Sequence, residues 1–436
     1  TVTSAPSSFT PQNSTSMMPV AEAERIVLDR SQTLGTEWIE LGSATGRVLA
    51  SDLLSPQDFP PAPTSSMDGY GVRHADLTSI PCDLSVIETL PAGTVSQTSL
   101  QPGQAARLFT GSELPPGADT IVIQEDTQRT GNTVRVLDSY PLGKFVRQQG
   151  QFCRAGDRLM ATGQVLRAPE VALLAAVRHL NLEVYRQARV GIFSTGDELV
   201  SPEQPPQPGQ IVDSNQPGLS ALVRQAGAIP HRFGIVKDTE SGDISCGKAA
   251  LKQAIAAALS TCDVILSSGG VSVGDYDHVE SVLEELGANI LIRKVAIKPG
   301  KPFTFATFPR ESGPPQLYCG LPGNPVSAMV CFWRFVLPAL HKLQGQCPPW
   351  SPGFATAIAQ SELRAGGVRE TYLWGHVAIA REGSASGHLH FFPANEHGSG
   401  NLVNLAGTNA LAVLPVGTKR VEEGNPVPVL MTAPLA

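Results

Sequence analysis

The chain has 436 residues, 42% of them hydrophobic and 16% charged, which excludes wholesale disorder and leaves apolar surface for more than one core. Net charge is −7 and no Lys/Arg block stands out, so neither nucleic acid nor an anionic membrane is indicated as the main partner, and an anionic ligand would have to be held by a local cluster. Seven cysteines without a C-x-x-C pair exclude a disulfide framework and a thiolate zinc site, and they fit a reducing, cytoplasmic compartment.

Residues 1–18 read as a disordered tail rich in Ser, Thr and Pro, without the pattern of a secretory signal. Pro19 then suits the first position of a helix over the amphipathic segment 20–34. Segments 19–64 and 148–185 are expected to form one N-terminal linker domain, with a second helix over 169–180 packing against the first. Between them, 65–147 breaks into short alternating runs such as 83–89, 118–124 and 133–137, a β-rich inserted domain. From Ala188 strands and helices alternate, which predicts a central α/β domain over 186–343 with a parallel sheet covered by helices. The most apolar stretch, 330–340, is interrupted by Arg334 and closed by Pro338, so no transmembrane span is expected. Beyond a Gly/Pro-rich linker at 344–353, short strand-like runs imply a small C-terminal β domain over 344–436.

Ligands of open parallel sheets lie beyond the C-terminal ends of the strands, and the loops predicted there have unusual compositions. They are Ser194-Thr195-Gly196-Asp197-Glu198-Leu199, Ser267 through Asp277 with Ser268, Gly269, Gly270, Val271, Ser272 and Gly274, and Gly320-Leu321-Pro322-Gly323-Asn324-Pro325-Val326-Ser327. In the last, Asn324 suits an N-cap and Pro325 a first helical position, so the helix start would offer N–H groups to an anion. Lys298-Pro299-Gly300-Lys301-Pro302 sets two cations close together in a stiff frame, as an oxyanion or phosphate requires. Ordinary turns with surface lysines would read the same way one loop at a time. Asp197, Glu198, Asp238, Asp275 and Asp277 are the carboxylates that could hold magnesium, or could cap helices. The loops lack both the Walker and the G-x-G-x-x-G spacing, and the nine histidines show no metal-ligand pairing.

Together with Ser65-Ser66-Met67-Asp68-Gly69-Tyr70 and Phe109-Thr110-Gly111, these loops resemble the molybdopterin molybdenumtransferases, the MoeA family of bacteria, which is similar to the E domain of gephyrin. The motifs run in the family's order from residue 19 onward. The resemblance implies a multi-domain α/β subunit with a central molybdopterin-binding domain, an inserted β-rich domain, a small linker domain and a C-terminal β-barrel-like domain. It implies a homodimer, with Asp68 of one subunit facing the α/β domain of the other, and a molybdopterin-adenylating protein as partner. The implied reaction inserts molybdenum from molybdate into adenylyl-molybdopterin, with a divalent metal, Mg2+, and release of AMP. By the same resemblance Asp68, Glu198, Asp238 and Asp277 would be catalytic, the last three holding metal. Thr110, Arg147, the Ser194–Gly196 turn, the Ser268–Gly274 loop and Gly320–Asn324 would contact substrate. Lys298, Pro299, Lys301, Pro302, Ser327, Arg369 and Ser399 would hold molybdate. The chain departs from the family pattern at Phe152, where an acid is usual, and at Trp374, where an arginine is common.

Overall fold

A computed structural model describes residues 17–239, 244–270, 279–380 and 387–435, and the chain separates into two compact units. The first comprises Thr1–Glu37, Gly46–Ala50 and Val184–Ala436. Its centre is a six-stranded sheet of β1 (Arg189–Thr195), β2 (Ile229–Val236), β3 (Val264–Ser268), β4 (Asn289–Ile292), β5 (Thr304–Phe308) and β6 (Gln316–Leu321), in the order β2-β1-β3-β6-β5-β4. The first four strands in that order are mutually parallel, whereas β5 and β4 are antiparallel additions at one edge. The parallel sheet expected from the alternation is therefore present, extended by two strands that the spacing did not reveal. Strands β1, β3 and β6 are almost continuously buried, as strands covered on both faces should be.

Helices α2 (Asn215–Gln225), α3 (Ile244–Thr261) and α4 (Val279–Glu285) follow β1, β2 and β3, and the 19-residue helix α5 (Pro325–Leu343) follows β6. Helix α5 is apolar enough to pass for a membrane span but is 78% buried, and it contains a π-turn at Phe332–Val336. The N-terminal helix α1 (Val20–Arg30) buries Val20, Ala23, Ile26 and Val27 in the same core as Leu340 and Leu343 of α5. It is assigned to this unit, and the helix Ala168–Ala176 to the other.

The sheet's N-terminal edge is closed by polar groups that satisfy one another. Asp263, 5% exposed, accepts two bonds of 2.8 Å from the Arg186 guanidinium, one of 2.9 Å from the Arg189 N–H, and a longer contact from Arg310. Burial alone would raise the Asp263 carboxyl, but these bonds outweigh it and hold its pKa below the ordinary value.

The C-terminal β domain is a closed ring. Strands β7 (Phe354–Ala359), β8 (Glu370–Ile379), β9 (Leu389–Pro393), β10 (Ala410–Leu414) and β11 (Pro426–Met431) pair β8-β9-β7-β11-β10, and β10 returns to β8. Closure leaves no free sheet edge, and alternate residues such as Val377, Phe391, Ala412, Val427 and Val429 fill the interior. The expected barrel-like domain is present.

The second unit, Trp38–Thr45 and Ser51–Glu183, is built on another six-stranded sheet. Its strands run in the order Thr120–Ile123, Gly69–Val72, Gln104–Leu108, Cys82–Leu90, Thr133–Val136 and Thr127–Thr130, the β-rich character read from the alternating runs.

Candidate functional site

Because β2, β1, β3 and β6 are parallel, the loops that follow them share one rim of the sheet. The strands run slightly further than their spacing predicts. Ser194, Thr195 and Ser268 end strands, and Gly320 is a ladder residue opposite Thr304 and Ser267, so it is not part of the loop expected there. The loops are stitched together. Asn215 at the start of α2 donates to Ser268 Oγ at 2.5 Å and to the Gly323 carbonyl at 2.7 Å, and the Gly269 N–H donates to the Leu321 carbonyl at 3.1 Å. Gly269 has φ +90°, and a Cβ there would lie 2.5 Å from the Thr195 carbonyl oxygen, so only glycine lets the two loops approach. Three side-chain atoms buried at this rim, Ser194 Oγ, Thr195 Oγ1 and Asn215 Oδ1, have no hydrogen-bond partner among the described residues. Unmet buried polar groups are costly and concentrate where a ligand or water completes them. Val271, Ser272, Gly274, Asp275 and Asp277 lie outside the described residues.

Of the carboxylates, Asp197 ties two loops together. It accepts from the Asp238 N–H at 2.9 Å, the Thr239 N–H at 3.2 Å and the Thr239 hydroxyl at 2.7 Å. Partial burial works against its charge, yet these donors hold the carboxyl below its ordinary pKa. Asp197 is thus engaged as a loop tie, not as the open ligand considered from the sequence. Lys237 donates to the carbonyls of Asp197 and Leu199 at 2.8 and 2.7 Å, bracing the same turn. Glu198 is exposed and folds back over Gly196, whose Cβ, were there one, would lie 2.7 Å from Glu198 Oε2. Asp238 lines a small pocket with Thr195 and Gly270. Among the described residues no group of three or more His, Cys, Asp or Glu side chains converges. Asp238, in one pocket with Thr195, is an oxygen donor of the kind a hard cation such as magnesium takes, since that ion keeps waters and binds through one or two carboxylates plus substrate phosphates.

A cavity of about 750 Å³ opens where the Lys298 loop, the start of α5 and the barrel meet. Lys298, Pro299, Lys301, Pro302, Ser327, Arg369 and Ser399 all line it, with Pro322 and Asn324. Residues spread over a hundred positions of sequence are brought to one wall by three devices. Ile297-Lys298 forms a two-residue parallel bridge with Glu370-Thr371 of β8. Arg369 reaches back to the Ile297 carbonyl at 3.3 Å. Gly300, at φ +118°, lies against α5 so closely that a Cβ would stand 2.6 Å from Cys331 Sγ.

Asn324 occupies the N-cap position but makes no side-chain capping bond, and the Val326 N–H is donated to the Ser399 carbonyl at 3.1 Å. The helix start therefore offers fewer free donors than expected, and anion attraction rests mainly on side-chain cations. Arg364 adds another at the lining, ion-paired with Glu362. Neither was singled out from the sequence, since no motif marks them. The remaining wall is neutral. Trp374 is 1% exposed with an indole N–H that has no acceptor, and His397 stands edge-on to it at 4.7 Å, its Nε2 bonded to the Trp374 carbonyl at 2.9 Å. Burial keeps His397 below its ordinary pKa and so uncharged near neutrality.

The second unit carries Asp68, Thr110 and Arg147. The Asp68 carboxylate accepts both the N–H and the hydroxyl of Thr110 at 2.7 Å, which lowers its pKa. Arg147 is half-buried in a short strand paired with Thr64-Ser65. Phe152, standing where an acid is usual, packs against the Phe59 ring at 5.7 Å.

Comparison with known proteins gives a consistent result along the chain. Residues 18–177 match the MoeA N-terminal region (domain I and II), 191–342 a probable molybdopterin binding domain, and 356–431 the MoeA C-terminal region (domain IV). A molybdopterin molybdenumtransferase of Nostoc sp. is 48% identical over 91% of this chain and 88% of its own. One from Haemophilus influenzae is 36% identical over 80% and 83%. The crystal structure of a molybdopterin biosynthesis MoeA protein from Pyrococcus horikoshii OT3 superposes with a TM-score of 0.78 at 28% identity, covering 95% of this chain and all of that one. The chain belongs to the molybdopterin molybdenumtransferase family, transferases of molybdenum cofactor biosynthesis.

Proposed function

We propose that this transferase uses molybdate as its metal source and adenylyl-molybdopterin as its acceptor, and that AMP leaves as molybdenum joins the dithiolene sulfurs. The observation that carries this reading is the cavity in which Lys298, Lys301, Arg369, Ser327 and Ser399 converge. Fixed cations around a tetrahedral dianion stabilise it without reorganisation, and Arg369 supplies planar paired donors where the lysines supply point charges. A volume of about 750 Å³ is much larger than one oxyanion and leaves room for the dithiolene end of the acceptor. Ser194, Thr195, Asn215 and the Gly269-Gly270 turn would meet the polar part of the acceptor, where three unpartnered buried atoms support a ligand role.

Glu198 and Asp238 would hold magnesium, with Asp277, which lies outside the described residues, as the third carboxylate. When bound, the ion would offset the charge of the diphosphate bridge. Asp68, Thr110 and Arg147 would act on the adenylylated substrate from a second copy of the chain in a homodimer. A molybdopterin-adenylating protein would deliver that substrate in the cytoplasm, and the subunit would work as the four domains delimited from the sequence.

The test is direct. Purified protein given adenylyl-molybdopterin, magnesium and molybdate is expected to release AMP in step with formation of cofactor that activates an apo-molybdoenzyme. Binding of the pterin without AMP release would identify a carrier, and release that needs no molybdate would point to another phosphorylated pterin as substrate; either result overturns the proposal.

A further inference from the structure

Behind the cationic wall lies a buried charged network that no motif announces. Arg334, in the π-turn of α5 and 6% exposed, donates through Nε to the Tyr372 hydroxyl at 3.0 Å. Tyr372 donates in turn to Glu370 Oε1 at 2.5 Å, and the other side of the Arg334 guanidinium pairs with Glu24 of α1 at 2.6 Å. The network brings α1, α5 and β8 together, and its far end reaches the ligand cavity. Tyr372 lines that cavity, while Glu370 follows Arg369 directly and lies opposite Ile297 in the bridge that carries Lys298.

Stability alone accounts poorly for this arrangement, because buried ion pairs cost desolvation that their attraction barely offsets and are often replaceable by apolar side chains. Their best-attested use is to fix one arrangement among near alternatives. A π-turn, itself a costly local geometry, is the kind of irregularity found where a helix must aim a side chain at a functional site. Here it places Arg334 on Tyr372 while Ser327, two turns earlier, lines the cavity.

We propose that Arg334, through Tyr372 and Glu370 and anchored by Glu24, is a positioning residue for the oxyanion wall: it holds the first residues of β8 so that Lys298 and Arg369 face one ligand. This inference rests on the oxyanion reading given above, and its test separates the two.

The full-length chain is titrated calorimetrically with sodium molybdate as wild type, Lys298→Ala, Tyr372→Phe and the double variant, with thermal midpoints recorded in parallel. Lys298→Ala is expected to weaken binding at least tenfold, as loss of a charged donor should. Tyr372→Phe keeps the ring and removes only the hydroxyl. It is expected to raise the molybdate Kd about five- to tenfold, below the full value of a lost charged hydrogen bond. The double variant should bind little worse than Lys298→Ala alone, the non-additivity of two residues acting through one group. Glu24→Gln, at the far end of the network, should weaken binding about two- to threefold in the same direction, and stands in if Tyr372→Phe does not fold. A lowered midpoint with unchanged Kd in Tyr372→Phe and Glu24→Gln, alongside a weakened Lys298→Ala, would overturn the positioning role and leave the oxyanion reading standing. Unchanged binding in Lys298→Ala would remove both.

Discussion

The two edges of the parallel sheet are built from the same residue types and end in opposite states. At the N-terminal edge, Asp263 collects Arg186, Arg310 and the Arg189 N–H, and Gln316 donates to the carbonyls of Leu259 and Cys262, so buried polar groups meet partners from within the chain. At the C-terminal edge Ser194, Thr195 and Asn215 each keep a buried atom without a partner among the described residues, and four cations surround a cavity with Glu362 as the acid in its lining. Charge by itself does not mark a site. Unfinished polar accounting does, because a buried group left unmatched is tolerated where something from outside completes it.

That contrast can be broken at either edge. Asp263→Asn should have the largest effect, about 3 kcal/mol of lost stability in chemical denaturation, since it strands two arginines, while molybdate affinity stays unchanged. Asp263 also gives the satisfied edge a pH signature. A carboxyl whose folded pKa is depressed contributes stability that is complete above its unfolded value of about 3.9 and is lost as pH falls through the folded value. The wild type should therefore lose stability below about pH 4 more steeply than Asp263→Asn, as followed by midpoint against pH.

The double variant Lys298→Ala/Lys301→Ala should weaken molybdate binding by about a hundredfold and leave the denaturation midpoint within a few degrees, the reverse of Asp263→Asn. Gly300→Ala should cost about 1–3 kcal/mol, because the new methyl meets Cys331 Sγ at a backbone angle that only glycine takes easily; anion affinity should fall with it. The smallest effect on stability belongs to Thr195→Val. Removing an unpartnered hydroxyl should change stability by less than about 0.5 kcal/mol or raise it slightly, and turnover should fall nonetheless. A large destabilisation there would show that the hydroxyl is satisfied in solution and that the edges do not differ as described.

Much of this organisation could be read along the chain, for identifiable reasons. Strands β1, β3 and β6 are continuous apolar runs ending in Gly-rich loops, so both their type and the functional end were visible. Lys298 to Pro302 stood out as two lysines in a Pro/Gly frame, a pattern that ordinary turns share, and both lysines line the cavity. Strands β4 and β5 were missed: Asn289–Ile292 is only four residues long, and Thr304–Phe308, five residues reading Thr-Phe-Ala-Thr-Phe, has no clear two-residue period. That α1 packs on Leu340 and Leu343 of α5 leaves no local trace, since an apolar stripe declares that it will be covered and not by what. Asp197 and Asp238 looked alike as loop carboxylates, and only the donors around Asp197 reveal it as the tie between the two loops. The link from Glu24 through Arg334 to Tyr372 spans most of the chain, and pairings of that kind leave no local pattern.

The bridge between Ile297-Lys298 and Glu370-Thr371 makes the cationic cavity a joint product of two modules. During synthesis the lysines emerge well before the strand that pairs with them. A nascent chain halted before residue 370 would own both lysines and still grip a dianion poorly. On the proposed oxyanion role, competence to hold molybdate would be deferred until the last module has closed, which would tie cargo loading to completion of that module.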